Sequence, residues 1–516
     1  MPFVSLSAAD VPLTLALDLG TSSFRALLFD RFGRAVEGSE AQLRYKLITT
    51  PDGGAEADAK MLFNLLLETI DAAIMRAGER SGEIAAVGLS CFWHSLLGLD
   101  DAGEPVTPVF FWADTRSARQ VDALRAELDQ STVHQRTGCV IHSSYWPAKL
   151  RWLKETQPIA YRRVARWCSF ADFAIRQMHG KDFTSLSMAS GTGMLAILSG
   201  EWDAPMMEAA GIEQSTLPTI VPASLPLSSM RAPFADRWPA LAAIPWFPGI
   251  GDGACANVGC GAITNDRIAL TVGTSAAIRA IVERPIGQPF DVPNDVWAYR
   301  LDERQVVFGG ALSNGGNVVS WLRGLVGEDP SEETMDEAGA IAPDSHGLTV
   351  LPFFTGERSP VWNDRATGII AGLTLTTGRL QLLRACMEAV TLRLALIHEA
   401  IAPLVNADHQ IVLNGGAVLH SPVWMQIIAD ALGHAVTPLP PEEEASARGG
   451  ALLAMRSAGI IPDLDRTSNP ADGCLPIEPH PDNAPAYAAA RSRQSKLETL
   501  LFPQGGVWTD ESSLRN

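Results

Sequence analysis

Two apolar runs meet at a small polar turn near the start of the chain. Residues 15–30, LALDLGTSSFRALLFD, place glycine and hydroxyl residues at 20–23 between the two runs, with Asp18 near the end of the first. Short apolar runs bounded by residues of this kind are typical of strands. The pattern predicts a β-hairpin that carries one carboxylate next to a turn rich in hydrogen-bond donors.

The same pattern returns half a chain later. Residues 15–29 align with residues 268–282, IALTVGTSAAIRAIV, so that their Gly-Thr-Ser turns coincide and the flanking apolar runs match. A single pair of copies so far apart predicts two similar domains rather than a solenoid. The alternative is a chance recurrence of the tripeptide. Thr271 stands where the first copy has Asp18, so we expect the two turns to differ in chemistry.

Helical and strand patterns alternate in both halves. In the first, helical spacing follows a cap at Asp58 and precedes an apolar strand at 84–89. In the second, a long helix at 380–404 precedes a strand at 411–413, and Ser-Pro at 421–422 begins another helix. This alternation predicts an α/β fold with ligands at strand ends.

A proline-rich connector divides the chain. Residues 218–248 contain seven prolines with little periodicity, which disfavours helix and central strand. The 516 residues also exceed the roughly 250 to 300 that one core supports. We therefore predict an N-terminal domain over 1–247 and a C-terminal domain over 248–516.

Composition restricts the partners. A formal net charge of -18 argues against nucleic acid and anionic membranes as general partners. Seven cysteines without a CxxC pair argue against a disulfide framework. The chain has no run of about 18 apolar residues, and its first basic residue is Arg25, so we expect neither a membrane span nor a signal peptide. The expectation is a cytoplasmic protein.

Two Gly-Thr-Ser turns predict a polyphosphate ligand. Small residues allow close backbone approach while their N–H groups and hydroxyls act as donors. The sequence lacks both GxxxxGK[ST] and a GxGxxG after a strand, so neither a P-loop nor a Rossmann site is expected. Asp18 is then interpreted as a water-mediated Mg²⁺ ligand on the phosphates.

Six motifs, in order between about residue 13 and residue 455, resemble those of the FGGY family of carbohydrate kinases. They are LALDLGTSS (15–23), FWADTR (111–116), GIGDGACANVGCGA (249–262), LTVGTS (270–275), LPFFTGERSPVWNDRATGIIAGL (351–373) and LNGGAVLHSPVWMQIIADALG (413–433). Segments 88–117, 137–153, 187–203 and 310–322 are most similar to its gluconokinase members. The resemblance implies an actin-like ATPase architecture, with two RNase-H-like domains and ATP and sugar on opposite sides of an interdomain cleft.

The resemblance implies a general base at Asp252, in the glycine-flanked turn 249–253. Phosphoryl transfer needs a carboxylate that accepts the proton of the attacking hydroxyl, and a positioned base contributes about 10² to 10⁴-fold. The alternative for Asp252 is an N-cap of a helix that begins at Ala254.

On the sugar side the resemblance implies contacts from Trp93, His94, Trp112, Asp114, Arg116, His142 and Asp252. Arginine binds carboxylates in a bidentate way, so Arg116 is the predicted partner of an acid sugar. The alternatives are packing for the Trp93–His94 pair and an ion pair with Asp114 or Asp101 for Arg116. Lys149 is a further cleft residue or, as we expect, a solvated helix charge. Glu357 and Arg358 are expected to form an ion pair that holds a loop.

On the nucleotide side the resemblance implies a second set of residues, whose glycines could alternatively be simple strand-to-helix turns. They are Gly20, Thr21, Ser22, Ser23, Gly273, Thr274, Asn314, Gly415, Gly416 and Ala417, with Asp18 for the metal.

The expected function is phosphorylation of gluconate to 6-phosphogluconate with ATP and Mg²⁺. The alternatives are a xylulokinase or other ketose or polyol kinase of the same family, and a non-catalytic ATP-binding module. Trp93 is a bulky residue where the family often has a flexible methionine, which bears on the size and identity of the substrate. The expected partner is a small sugar or sugar acid, without nucleic acid or membrane, and a homodimer is left open.

Overall fold

A computed structural model of the chain describes residues 3–326, 332–440, 444–467 and 469–502. Each half is centred on one mixed β-sheet. The first sheet contains β1 (Leu13–Leu19), β2 (Ser23–Phe29), β3 (Ala41–Arg44), β4 (Ile84–Cys91) and β5 (Ile250–Gly251), in the order β5-β4-β1-β2-β3. The second contains β6 (Arg267–Val272), β7 (Ala276–Glu283), β8 (Trp297–Arg300), β9 (Gln305–Leu312), β10 (Gln410–Asn414) and β11 (Val436–Pro438), in the order β8-β9-β7-β6-β10-β11. The remaining short strands form two- and three-stranded sheets around them.

The two sheets repeat one topology. β1 pairs antiparallel with β2 and parallel with β4, and β6 pairs in the same way with β7 and β10. Both repeated hairpins are thus present, at the predicted positions, and each occupies the same place in its sheet. The predicted α/β fold with two RNase-H-like halves is confirmed.

Helices cover the sheets. In the first half they are α1 (Ala59–Ala77), α2 (Ala118–Glu127), α3 (Gln130–Thr137), α4 (Trp146–Thr156), α5 (Pro158–Arg163), α6 (Phe170–His179), α7 (Leu186–Ser190), α8 (Ala204–Ala210) and α9 (Ala232–Arg237). They continue with α10 (Asp252–Gly259), α11 (Gly316–Val326), α12 (Glu332–Gly339), α13 (Arg379–Ile401), α14 (Gly416–Leu419), α15 (Pro422–Leu432), α16 (Ala445–Ser457) and α17 (Ala484–Leu501). Asp58 and Ser421 accept hydrogen bonds from the backbone of the helices they precede, as their positions in the sequence predict.

Helix α16, late in the chain, packs against α10 and against β1 and β4 of the first sheet. The approach is close because glycines lie at the contacts. A Cβ on Gly449 would lie 1.8 Å from the carbonyl oxygen of Cys255, and one on Gly259 would lie 1.7 Å from that of Ala445. Since real Cβ atoms do not approach so closely, larger side chains would push α10 out of place. This packing fixes the helix whose first residue is Asp252.

The division near residue 248 stays a prediction, and β5, which follows it at once, pairs with β4 of the first sheet. All seven cysteines are unpaired, in agreement with the predicted absence of a disulfide framework. Among the described residues no helix combines the length and the apolarity needed to cross a lipid bilayer.

Candidate active site

A cavity of about 260 Å³ is lined by residues from both halves of the chain. Five residues predicted from the sequence line it: Thr21, Trp93, His94, Trp112 and Asp252. Others that line it were not predicted, among them Tyr145, Arg279, Trp297, Tyr299, Arg358 and Trp362. The cavity therefore brings together segments that lie more than 300 residues apart in the sequence.

Asp252 lies at the N-terminus of α10, directly after β5. It is the first residue of the helix, and Gly251 is the N-cap. The helix therefore begins two residues earlier than it would if Asp252 capped a helix beginning at Ala254. Its carboxylate accepts a hydrogen bond from the Gly253 N–H at 2.8 Å. Burial, and then the negative charge of Asp18, raise the pKa of Asp252 to about 6. A carboxylate with such a pKa is ionised at neutral pH and is a stronger base than an ordinary aspartate.

Asp18 lies near the end of β1, and its carboxylate accepts a hydrogen bond from the Ser90 hydroxyl at 2.8 Å. Burial raises its pKa, and its charge raises that of Asp252. Two carboxylates that repel each other form a donor set that suits a hard divalent cation, which would relieve the repulsion. The residues present therefore fit Mg²⁺.

An aromatic wall forms one side of the cavity. The rings of Trp297 and Tyr299 stack at 4.2 Å, and Trp93 meets Tyr299 edge-on at 4.8 Å. The indole N–H of Trp93 donates to the Ser187 carbonyl at 3.0 Å, and the hydroxyls of Tyr145 and Tyr299 are hydrogen-bonded at 2.6 Å. These side chains are fixed by one another, so they present a rigid apolar surface to the C–H groups of a ligand.

His94 adopts a positive φ of 68°, which is uncommon for a residue with a side chain. Its Nδ1 is hydrogen-bonded to the Gly191 carbonyl. Since a carbonyl only accepts, Nδ1 carries the proton, and Nε2 is left as an acceptor. Burial lowers the pKa of His94 to about 3, so the ring stays neutral. His94 thus offers a hydrogen-bond acceptor at the cavity.

Glu357 and Arg358 do not form the expected ion pair, so that expectation was wrong. Glu357 pairs instead with Arg393, at 2.8 and 3.0 Å. Arg358 lies over the Trp112 ring at 4.2 Å and donates to the Leu312 carbonyl at 3.2 Å, while its buried Nε has no partner. Burial lowers its pKa to about 10, so it remains charged. The cavity is thus lined by a guanidinium that has no carboxylate partner among the described residues.

Arg279 is the second cation of the cavity. It donates through Nε to the Asn257 side chain at 3.0 Å and through one terminal nitrogen to the Thr271 hydroxyl at 3.1 Å. Its charge lowers the pKa of Asp252. Arg279 therefore balances part of the negative charge that the two aspartates bring to the site.

Asp114, Arg116 and His142 do not line the cavity. Arg116 donates to both Asp114 and Glu56 and lies over the Trp152 ring at 4.6 Å, so the ion pair with Asp114, the alternative for Arg116, is present. The Nε2 of His142 lies 2.8 Å from a carboxylate oxygen of Asp364, and its Nδ1 meets the Ser144 hydroxyl at 3.1 Å.

Lys149 is not a solvated charge, and that expectation was wrong. Its side chain is 1% exposed, and its ammonium group donates to the carbonyls of Ser143 and Ser144. Burial lowers its pKa to about 8. Lys149 holds the segment 142–145, which leads from His142 to Tyr145 in the cavity wall.

A second cavity of about 510 Å³ is lined by Gly416 and Ala417 of the predicted nucleotide residues, together with Gly316 and the start of α15. The turn after β6 lies between the two cavities. Ser275 lines the first, and the Gly316 N–H donates to the Gly273 carbonyl at 2.8 Å. The turn at 273–275 therefore links the two cavities.

The other predicted nucleotide residues hold these turns in place. In the first turn, the Gly20 N–H donates to the Ser23 carbonyl at 3.0 Å, and the Tyr45 N–H donates to the Ser22 carbonyl at 3.0 Å. The Gly315 N–H donates to the Thr274 carbonyl in the second turn at 3.1 Å. Asn314 does not line the second cavity; its amide donates to the Gly356 carbonyl at 2.9 Å.

Gly415 lies where only glycine fits, and we expect Gly415→Ala to impair nucleotide binding. Its φ is 106°, and a Cβ would lie 2.4 Å from the Val272 carbonyl oxygen. The substitution should lower the free energy of unfolding by about 1–3 kcal/mol, a typical cost of such strain, and raise KM for ATP. Gly82→Ala is the control, because a Cβ there meets nothing within 4 Å and Gly82 lines neither cavity. Urea unfolding and ATP titration of both variants test this, and equal behaviour would contradict it.

Two family models match the chain, one in each half. Residues 13–259 match the N-terminal domain of the FGGY family of carbohydrate kinases, and residues 268–458 match its C-terminal domain. Gluconokinase of Bacillus subtilis (strain 168) is 28% identical over 95% of this chain and 96% of its own length.

Two solved structures are equally similar to the fold. Gluconate kinase from Lactobacillus acidophilus superposes with a TM-score of 0.85 at 26% identity, over 95% of this chain and 98% of its own. Ligand-bound xylulose kinase from the same species has the same TM-score of 0.85 and 26% identity, over 96% and 99%. Overall similarity therefore does not decide whether the substrate is a sugar acid or a ketose. That choice has to be argued from the chemistry of the cavity.

Proposed function

Because the chain belongs to the FGGY family of carbohydrate kinases, it is an ATP-dependent sugar kinase, and we propose that its acceptor is gluconate, which it converts to 6-phosphogluconate. The observation that carries the proposal is Arg358, a half-buried cation that lines the sugar cavity and has no carboxylate partner among the described residues. A carboxylate is the ligand that satisfies such a group, since charge-assisted hydrogen bonds to guanidinium are strong and directional. A neutral ketose offers this guanidinium hydroxyl and carbonyl acceptors but no negative charge beyond that of Asp252.

In the proposed mechanism the carboxylate of gluconate lies against Arg358 and its sixth carbon lies at Asp252. Asp252 accepts the proton of the attacking hydroxyl while that oxygen forms a bond to the γ-phosphorus, and the bond from phosphorus to the bridging oxygen of ADP breaks. His94 accepts from a sugar hydroxyl, and the aromatic wall excludes water from the reacting groups. Mg²⁺, held through Asp18, would neutralise charge on the phosphates.

The pH profile should report the state of Asp252. The base must be ionised, and burial and Asp18 raise its pKa to about 6. The rate should therefore be full at about pH 7 to 8 and should fall about tenfold per unit once pH drops well below 6. The measurement is kcat/KM between pH 5 and 8 under constant ionic strength. A profile flat down to pH 5 would argue against Asp252 as the base.

The substrate is tested by ADP release from Mg·ATP in the presence of gluconate, xylulose, ribulose, glycerol or erythritol. The proposal expects gluconate to give the highest kcat/KM. A preference for xylulose would establish the alternative of a ketose kinase. If no acceptor raises ADP release above the basal rate while ATP still binds, the alternative of a non-catalytic ATP-binding module gains support and the gluconate proposal fails.

A further inference from the structure

Three histidines converge at the edge of the second half, away from both cavities. His398 lies near the end of α13, His409 directly precedes β10, and His434 lies between α15 and β11. One ring nitrogen of each lies within 4.8 Å of the others. His398 and His409 are both 5% exposed, and His434 is half-buried, so the cluster is reached by solvent from one side only.

The hydrogen bonds of the cluster determine where the protons lie. The Nδ1 of His409 is 2.8 Å from the Asn406 carbonyl, which only accepts, so Nδ1 carries the proton and Nε2 has a free lone pair. That lone pair faces the Nε2 of His398 at 2.9 Å. A nitrogen of His434 lies within 4.8 Å of both. The three rings therefore direct ring nitrogens towards one another.

We propose that His398, His409 and His434 bind one zinc-class transition-metal ion. Zinc takes imidazole nitrogens at about 2.0–2.1 Å in tetrahedral geometry, which places two such nitrogens about 3.3 Å apart. The pair at 2.9 Å would need to open by only a few tenths of an ångström, and the proton between them would leave. A set of imidazoles without carboxylates selects zinc, copper, nickel or cobalt over Mg²⁺, and a hydrogen bond from the ring to a carbonyl is the usual support of a metal-binding histidine.

The groups around the cluster are compatible with a cation. Arg491 is the charged residue that faces His398 from α17, and it is paired with Glu399 at 2.6 Å. By contrast, the cluster of Asp344, His346 and Glu388 is already compensated, because Arg493 pairs with the first and Arg384 with the last. It therefore gives no reason to expect a metal.

A bound ion would add a direct link between three segments, two of which, at β10 and β11, are already neighbours in the sheet. The ion would hold the end of α13, the start of β10 and the turn after α15. β10 continues from His409 to Asn414, directly before Gly415 of the nucleotide loop. The site lies at the opposite end of this strand from the nucleotide, so we infer a stabilising ion rather than a catalytic one. This inference does not depend on which sugar is phosphorylated.

The test uses the full chain without an affinity tag, stripped of metal with a chelator. Titration with Zn²⁺ in a calorimeter should give one site per chain, and Tm should rise when Zn²⁺ is present. His434→Ala should weaken binding at least tenfold and remove the rise in Tm. His480→Ala is the control, since His480 is an exposed histidine that pairs with Asp430 and lies outside the cluster.

Co²⁺ provides a readout that a purely structural histidine would not give. Bound by three imidazoles it should show the strong visible absorption of a tetrahedral complex, which His434→Ala should abolish. His434 is the variant of choice because it is half-buried, so its removal is the least disruptive of the three. Zn²⁺ bound equally by the His434→Ala variant, or an unchanged Tm and no cobalt spectrum in the wild type, would overturn the proposal.

Discussion

Asp252→Asn is expected to lower kcat about 10² to 10⁴-fold, the contribution that a positioned general base makes. Asparagine has nearly the shape of aspartate and still accepts the hydrogen bond from Gly253, but it does not take up the proton of the sugar hydroxyl. The affinity for ATP should change little, because the second cavity does not include residue 252. The measurement is steady-state ADP release at saturating ATP and acceptor, with ATP binding followed by calorimetry.

The stability of the same variant separates catalysis from folding. Burial and the charge of Asp18 both raise the pKa of Asp252, so the ionised carboxylate destabilises the folded state, and the neutral amide should leave Tm unchanged or raise it. Asp129→Asn is the matched control, since Asp129 caps the exposed start of α3 and asparagine is an equally good cap. An Asp252→Asn enzyme within about threefold of the wild-type rate would exclude the residue as the base.

The elements predicted best are those that local chemistry determines. The hairpins at Asp18 and Thr271 were predicted from two apolar runs and a small turn, and the repeat of these runs predicted that both halves share one topology. Similarly, Asp58 and Ser421 cap helices because a cap depends on residues within one turn. Such patterns need no knowledge of what lies elsewhere in the chain.

The assignments that failed are those that depend on partners far away in the sequence. Lys149 follows a helical pattern, and only the folded loop at 143–144 reveals that its charge is enclosed by carbonyls. Glu357 stands next to Arg358, but the buried Arg393 of α13 is its partner. Tyr299 carried no motif at all, since its role comes from stacking on Trp297. Arg279 was not predicted, although it lies in the repeated segment. A charged residue within an apolar run of this kind was a signal from which its role could have been inferred.

Arg116 and Arg358 illustrate the same limit within the substrate site. The motif around Arg116 was the sequence-based choice for binding a carboxylate, yet its donors are used by Asp114 and Glu56. A guanidinium that is already paired has little to gain from a further anion. Arg358 has no such partner among the described residues and lies against Trp112, 246 residues away in the sequence, an interval that no motif spans.

Arg358→Gln is therefore expected to raise KM for gluconate about 10- to 100-fold, since hydrogen bonds to charged groups contribute about 1.5–3 kcal/mol. A neutral acceptor such as xylulose should lose little, so the ratio of the two kcat/KM values should fall by a similar factor. Arg358→Lys should restore this ratio only in part, because lysine keeps the charge but neither the planar fork nor the stacking on Trp112. The measurement is kcat and KM for both acceptors with each variant.

Arg116→Gln is the opposing variant, and it distinguishes the two arginines. Loss of Arg116 leaves Asp114, which is 1% exposed, as a buried unpaired carboxylate, and breaking a buried pair in this way costs about 3–5 kcal/mol. It should therefore lower Tm strongly while KM for gluconate in the folded enzyme stays close to that of the wild type. The opposite result is that Arg116→Gln raises KM and Arg358→Gln affects both acceptors equally. It would show that Arg116 binds the carboxylate of gluconate, as the motif predicted. The selectivity for an acid sugar would then have to involve a rearrangement of the Arg116 ion pairs when substrate binds.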